Sequence, residues 1–202
     1  MPGREVYRPR NAFAARREAL NAGWTRQPTE RTNDHETLEI LWLEWATPMK
    51  TSKLITAENI ITDLRATNKP EILAEFATRA SSLVHLERSV VFNALLDRES
   101  FGSTGLGMGV AIPNARFRQL RRPFALFARL KRAIDFHALD RRPVDLILML
   151  LGPEPANAAY LDALTSASRA LRNPAVREGL RACADAQSIL ARLNEDFVGL
   201  RD

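Results

Sequence analysis

The sequence predicts an α/β domain in which a sheet is layered with helices, and three stretches carry that prediction. Residues 144–151 form an unbroken apolar run of strand length, fenced by Pro143 on one side and by Gly152-Pro153 on the other. A run of that length without polar alternation suits a strand buried on both faces. After Pro70, the residues Ile72, Leu73, Phe76, Ala80, Leu83 and Val84 recur at helical spacing and line one face. Towards the C-terminus, Asn173-Pro174 breaks a helix-periodic region into successive helices. Read in order, helix, helix, strand, strand, strand and helix make a layered domain rather than a bundle.

Each element follows from local signals. Pro70 suits the first position of a helix, where its missing N–H costs nothing. A second helix over about 87–96 turns Val90, Val91, Ala94 and Leu95 inward. A glycine-rich turn over 102–109 runs into a short strand, Val110-Ala111-Ile112, which delivers Pro113-Asn114 to a loop. Residues 124–130 read as a further strand. Three helices, about 158–171, 175–184 and 186–193, close the chain.

Composition bounds the function. The chain has 202 residues, 46% hydrophobic and 26% charged, with a formal net charge of +5. A single cysteine, Cys183, forbids an internal disulfide and a cysteine-based zinc site. The three histidines, His35, His85 and His137, are irregularly spaced, so no metal and no cofactor is expected. No apolar run approaches the roughly 20 residues a membrane span needs, and a cytoplasmic protein is expected. Asp140 and Asp145 are expected to organise a loop and the start of a strand rather than to act as paired acid and base.

The first 48 residues differ from the rest. All three tryptophans, Trp24, Trp42 and Trp45, lie there, and seven arginines with no lysine balance seven carboxylates. Short helices are expected over 11–22 and 34–46, the second with Leu38, Leu41, Trp42 and Trp45 on one face. Met49-Lys50-Thr51-Ser52-Lys53-Leu54-Ile55 resembles a natural start, so 1–48 is read as a dispensable extension, partly helical or disordered, ahead of a domain at 49–202.

The glycines at 105, 107 and 109 do not make a nucleotide site. The dinucleotide fingerprint needs glycines at its first, third and sixth positions, between a strand and a helix. Here position 110 is valine, and the glycines follow a helix and precede a strand. No Gly-Lys-Ser/Thr follows either. What the turn does offer is backbone N–H groups, the hydroxyls of Ser103 and Thr104 and the guanidinium of Arg98, a set suited to an anion. An ordinary connection with a solvated arginine fits these residues equally well.

The stretch Leu96-Asp97-Arg98-Glu99-Ser100-Phe101-Gly102-Ser103-Thr104-Gly105-Leu106-Gly107-Met108-Gly109-Val110-Ala111-Ile112-Pro113 closely resembles the signature of the phosphotransferase-system enzyme IIA domain of the fructose/mannitol class, in its nitrogen-regulatory branch. A second stretch, Phe136-His137-Ala138-Leu139-Asp140-Arg141-Arg142-Pro143-Val144-Asp145, resembles that family's Phe-x-Ala-x-Asp-x-x-Pro-Val-Asp run. Leu54-Ile55-Thr56, the helix after Pro70 and Tyr160-Leu161-Asp162-Ala163-Leu164 also fit, so the resemblance covers 49–202. It implies a mixed β-sheet sandwiched by helices, the fold of phosphotransferase and anion-transport IIA domains. It also implies a bacterial, phosphoenolpyruvate-dependent signalling role, and a histidine after the proline of the strand that accepts a phosphoryl group from the phosphocarrier HPr or its nitrogen-branch counterpart.

This chain departs from that pattern where the chemistry lies. The phosphoacceptor position is Asn114 and the family's second histidine is matched by Tyr160. An amide nitrogen has its lone pair delocalised into the carbonyl and is no nucleophile. The resemblance therefore implies an anion-binding shell of Arg98, Ser103, Thr104, Gly105 and Pro113 around a position without an acceptor, and no catalytic residue is expected. Loss of both histidines in one chain points to natural degeneration rather than to a trapping mutation.

Residues 116–142 carry Arg116, Arg118, Arg121, Arg122, Arg129, Lys131, Arg132, Arg141 and Arg142 against Asp135 and Asp140, nine minus two or +7. Arg116, Arg118, Arg121 and Arg122 follow Asn114 directly and are expected to dock a protein partner at the mouth of the site. The expected function is a phosphorylation-incompetent IIA-like regulator held in a dephospho-like state. Its expected partners are an HPr-type phosphocarrier, or a transporter, channel or sensor kinase. One alternative is a working phosphocarrier, if residue 114 is natively histidine. Another is a polyanion or nucleic-acid binder through 116–142, a case weakened because no nucleic-acid motif or aromatic interleaving accompanies the arginines.

Overall fold

The structure is a computed structural model and describes residues 54–198. The chain enters through a short 3₁₀ turn, Ala57–Asn59, and strand β1 (Ile60–Leu64). Helix α1 (Lys69–Val84) and helix α2 (Arg88–Ser100) follow. Four strands come next: β2 (Gly105–Gly107), β3 (Val110–Ala111), β4 (Asn114–Phe117) and β5 (Phe124–Ile134). The long β6 (Val144–Pro153) precedes α3 (Ala158–Arg172), α4 (Pro174–Ala182) and α5 (Ala186–Val198).

The sheet has six strands in the order β1-β5-β6-β3-β2, with β4 also paired to β6. It is mixed: β1 runs parallel to β5, β5 antiparallel to β6, and both β3 and β4 parallel to β6. Strands β3 and β4 occupy one edge of β6 in succession, Val110 opposite Leu146 and Asn114 opposite Leu150. Ile112-Pro113 separates them, because proline has no N–H to give the ladder. The Pro113 carbonyl still accepts the Leu150 N–H at 2.9 Å, which keeps the two pieces in line.

Helices cover both faces of the sheet. On one, Ile72, Leu73 and Phe76 of α1 and Val91 and Leu95 of α2 pack with Ala111, Ala115, Phe117 and Met149. On the other, Tyr160, Ala163, Ala167, Leu180 and Ile189 from α3, α4 and α5 pack with Val110, Ile112, Phe127 and Leu148. The run read from sequence as a doubly buried strand is therefore doubly buried, since alternate residues of β6 feed opposite cores. Helix starts are fixed locally. Asn68 Oδ1 accepts the Glu71 N–H at 3.0 Å and Glu71 Oε2 accepts the Thr67 N–H at 2.7 Å, a reciprocal cap.

Several expectations are corrected. Residues 114–117 form a strand rather than a loop, and 105–107 form a strand inside the glycine-rich turn. Strand β1 was not expected from the sequence, and Asp63 interrupts it with a left-handed backbone, φ 57°. Leu83 and Val90, placed inward by periodicity, are each 42% exposed. The helices expected over 11–22 and 34–46 lie outside the described residues. Among those residues no helix is long and apolar enough to cross a membrane.

Candidate functional site

Strand alternation aims the site. Ala115 and Phe117 of β4 are buried beneath α1 and α2, so Asn114 and Arg116 lie on the opposite face, towards α3. Helix α3 begins there, with Asn157 as its cap: Asn157 Oδ1 accepts the Tyr160 N–H at 2.9 Å. That places Tyr160 in the first turn of the helix, against Asn114. The Tyr160 hydroxyl donates to Asn114 Oδ1 at 3.4 Å, and Asn114 Nδ2 donates to the Ile112 carbonyl at 2.9 Å. The amide is thus held from both ends, within its own loop and by the helix.

Tyr160 is 3% exposed, and its ring lies flat on Gly152 of β6. A Cβ at residue 152 would fall 2.1 Å from the ring, so glycine is the side chain that lets the phenol in. Burial pushes the phenol above its ordinary pKa, while the nearby guanidiniums of Arg116 and Arg98 pull it back down. Both arginines therefore stand within electrostatic reach of the Asn114–Tyr160 contact. Arg98 is positioned by the end of α2, where its Nη1 donates to the Gly102 carbonyl at 3.0 Å.

The glycine-rich turn is built differently from the sequence expectation. Ser103 Oγ donates to the Phe136 carbonyl at 2.8 Å and accepts the Gly105 N–H at 3.1 Å. Thr104 is buried and gives both its N–H and its hydroxyl to Glu99. Those hydroxyl protons are committed inside the turn and are not donors to a group at Asn114. Gly105 sits against Ala138, whose Cβ would lie 2.8 Å from an added one. Pro113 is buried in the link between β3 and β4.

Sequence reasoning missed the anchor of this turn. The second oxygen of Glu99 accepts a hydrogen bond from Lys69 Nζ at 2.8 Å, with the two side chains 6% and 14% exposed. Lys69 also lies over the Phe136 ring, 4.6 Å from its centroid. One carboxylate so ties the start of α1, the end of α2 and the turn together. Thirty residues separate Lys69 from Glu99, and no periodic pattern spans that distance.

The second motif explains itself at the other end of β6. Asp140 accepts the Met108 N–H at 2.6 Å and the Arg142 N–H at 3.1 Å, which hold its carboxyl below the usual range. Asp145 takes Arg181 of α4 in a two-pronged contact, both distances 2.7 Å. Gly109, at φ 83°, has no room for a Cβ, which would meet Arg181 at 2.5 Å. The basic run of 116–142 is divided by the same geometry. Arg116 lies on β4 and Arg118, Arg121 and Arg122 on the turn after it, all exposed. Lys131, Arg132, Arg141 and Arg142 sit near Ile134 and Val144, about 23 Å down the strands at roughly 3.3 Å per residue. His137, exposed at φ 56°, lies within the second motif, in the loop between β5 and β6.

Compared with known proteins, residues 53–196 match the family described as "Phosphoenolpyruvate-dependent sugar phosphotransferase system, EIIA 2". The chain belongs to that family. It is 42% identical over 145 residues to the nitrogen regulatory protein of Bradyrhizobium diazoefficiens, covering 72% of this chain and 95% of that one. The nitrogen regulatory protein of Pseudomonas aeruginosa is 31% identical over 142 residues, covering 70% and 92%. The crystal structure of nitrogen regulatory protein IIA-Ntr from Neisseria meningitidis superposes with a TM-score of 0.68 at 31% identity, over 70% of this chain and 97% of that one. The mannitol IIA structure from Escherichia coli, with a TM-score of 0.59 at 22% identity, covers 69% and 98% and shares the fold. The chain is therefore a IIA-type protein of the nitrogen-regulatory kind. Its mixed sheet between two helical layers is the IIA fold that the sequence motifs implied.

Proposed function

We propose that this protein is a IIA-like regulator that does not accept a phosphoryl group and works through protein contacts in a permanently dephospho-like state, with residues 49–202 as its working unit. The observation that supports this reading is Asn114. It stands at the position matched to the phosphoacceptor histidine, and its amide is hydrogen-bonded to Ile112 on one side and Tyr160 on the other. A neutral imidazole has a free ring lone pair for attack on phosphorus, whereas an amide has none. The protein would then present one surface whatever the phosphoenolpyruvate supply. A phosphorylated residue in that place would add about −1.5 to −2 charges. Partners of the expected classes, an HPr-type phosphocarrier and a transporter, channel or sensor kinase, would meet that constant surface.

The test is a phosphotransfer reaction with phosphoenolpyruvate, enzyme I and the phosphocarrier, followed by intact-mass measurement. The expected outcome is no mass gain of one phosphoryl group. A stoichiometric, acid-labile gain would sink the proposal.

A further inference from the structure

We infer that the loop between β5 and β6, at the Val144 end of the sheet, docks the protein on an anionic lipid surface: Leu139 enters the lipid and the cations at that end meet the headgroups. This surface lies at the other end of the sheet from Asn114 and does not depend on the chemistry there. Leu139 is 93% exposed, more than any other large apolar side chain among the described residues. It sits inside a closed turn, where the Arg141 N–H donates to the Ala138 carbonyl at 2.9 Å. Its neighbours are pinned. Ala138 is buried against Gly105, and the Asp140 carboxylate accepts the Met108 and Arg142 N–H groups. Phe136 is fully buried, and its carbonyl accepts the Ser103 hydroxyl. Leu139 is therefore held out by a braced loop. His137 and Arg141, on either side of it, keep left-handed backbones at φ 56° and 57°, a strained conformation for residues other than glycine. Turn centres draw glycine and short polar residues, so a leucine there meets no local need.

Cations gather at the same end. Between the pairs Arg129–Leu146 and Ile134–Val144, β5 advances five residues while β6 advances two. The bulge throws out Lys131, Arg132 and Ala133, all exposed. Arg141 and Arg142 follow Leu139 and are exposed as well. Arg65, also exposed, follows Leu64, which pairs with Leu130, and so arrives at that end from β1. Among the described residues Arg65, Lys131, Arg132 and Arg141 make no ion pair, and Arg142 reaches Asp140 only at 4.0 Å. The carboxylates of the loop, Asp135 and Asp140, are both occupied by backbone N–H groups.

The cations call for an anionic partner, and the leucine makes that partner a lipid surface. A protein interface is centred on a contiguous apolar patch. Here a single leucine stands among charges. The other exposed large apolar side chains, Leu83, Val90, Phe101 and Leu161, lie on or beside α1, α2 and α3. A membrane surface asks for less. It takes a diffuse set of cations at the headgroups and one side chain at the acyl boundary, two weak signals that add.

The experiment sediments the full chain with vesicles of phosphatidylglycerol and phosphatidylcholine in equal parts, and with vesicles of phosphatidylcholine alone, at about 0.15 M salt. Binding to the mixed vesicles and none to phosphatidylcholine is expected. A cation at such a surface is worth about fivefold in partition, so Lys131→Gln with Arg132→Gln is expected to lose about twentyfold. Leu139→Ser is expected to lose about tenfold. Arg118→Gln with Arg121→Gln, beyond screening distance at the Asn114 end, is expected to stay within about twofold of the parent. All five substituted side chains are exposed, so folding is not at stake. No sedimentation with the mixed vesicles overturns the inference, as does equal sedimentation with phosphatidylcholine alone. A loss in the Arg118 and Arg121 variant as large as that in the Lys131 and Arg132 variant overturns the assignment to this end. Parent-like binding by Leu139→Ser overturns entry of the leucine. Poly-glutamate, titrated in parallel, stands for an acidic protein surface. Should it bind as tightly as the mixed vesicles, the lipid is overturned in favour of such a protein.

Discussion

Among the described residues, the two ends of β6 differ in that arginines held by carboxylates are found at the Val144 end and not at the Asn114 end. At the Val144 end Arg129 and Arg181 are committed to structure, while Lys131, Arg132 and Arg141 are exposed and make no ion pair among the described residues. Arg181 grips Asp145, and Arg129 donates to the carbonyls of Arg181 and Cys183 and reaches Asp63 Oδ1 at 3.4 Å. At the Asn114 end, Arg98, Arg116, Arg118, Arg121 and Arg122 make no ion pair among the described residues. Held cations brace a fold, while unpaired ones cost self-repulsion. Within the +7 of the 116–142 stretch, Arg129 is held by Asp63 and two carbonyls while most of the other cations pair with no carboxylate, and a count of charges merges the two kinds.

The largest way to break this comparison is to place a histidine at the Asn114 end, which the proposed function holds to be without a phosphoacceptor. Asn114→His is expected to turn no phosphorylation into stoichiometric phosphorylation in the same phosphotransfer reaction, because Arg98, Arg116 and the start of α3 are in place around it. A folded variant that stays unphosphorylated would show that the cations at this end no longer serve transfer. Next in size is Gly152→Ala. The added Cβ meets the Tyr160 ring at 2.1 Å, and overpacking of that kind costs about 1–3 kcal/mol. In a Tyr160→Ala background the same change is expected to cost less than about 1 kcal/mol, since the clash has gone. Additive costs in a urea-unfolding cycle would mean that Tyr160 does not depend on Gly152 for its seat.

How much of this could be read from the chain follows from range. The apolar run of β6 and the periodic face of α1 are local patterns, and both elements formed as their patterns require. So did the break at Asn173-Pro174, where Asn173 caps α4 by accepting the Ala175 N–H at 3.0 Å. Strands β1 and β4 escaped notice because five residues and four residues carry too little alternation to stand out. At the site, Asn114 and Tyr160 could be paired only through the family motifs, since 46 residues lie between them. The Lys69–Glu99–Thr104 anchor escaped entirely. Ser103 and Thr104 had the right chemistry for an anion, but a hydroxyl's partner is settled by the fold around it, and here those partners are the Phe136 carbonyl and Glu99.

The finest test sets one arginine contact from each end side by side. Asp145 and Arg181 are 22% and 36% exposed at the side chain, so water screens their attraction in part. Even so, the contact is bidentate and joins α4 to the start of β6, and Arg181 reaches the Met108 carbonyl at 3.3 Å as well. Asp145→Ala strands that guanidinium and is expected to cost about 1–2 kcal/mol in urea unfolding. Arg118 is exposed and makes no ion pair among the described residues. Removing its side chain deletes a solvated cation from a like-charged neighbourhood, so Arg118→Ala is expected to stay within about 0.5 kcal/mol of the parent protein. Should Arg118→Ala prove as damaging as Asp145→Ala, the arginines after β4 brace the fold, and the division between held and uncommitted cations would have to be redrawn there.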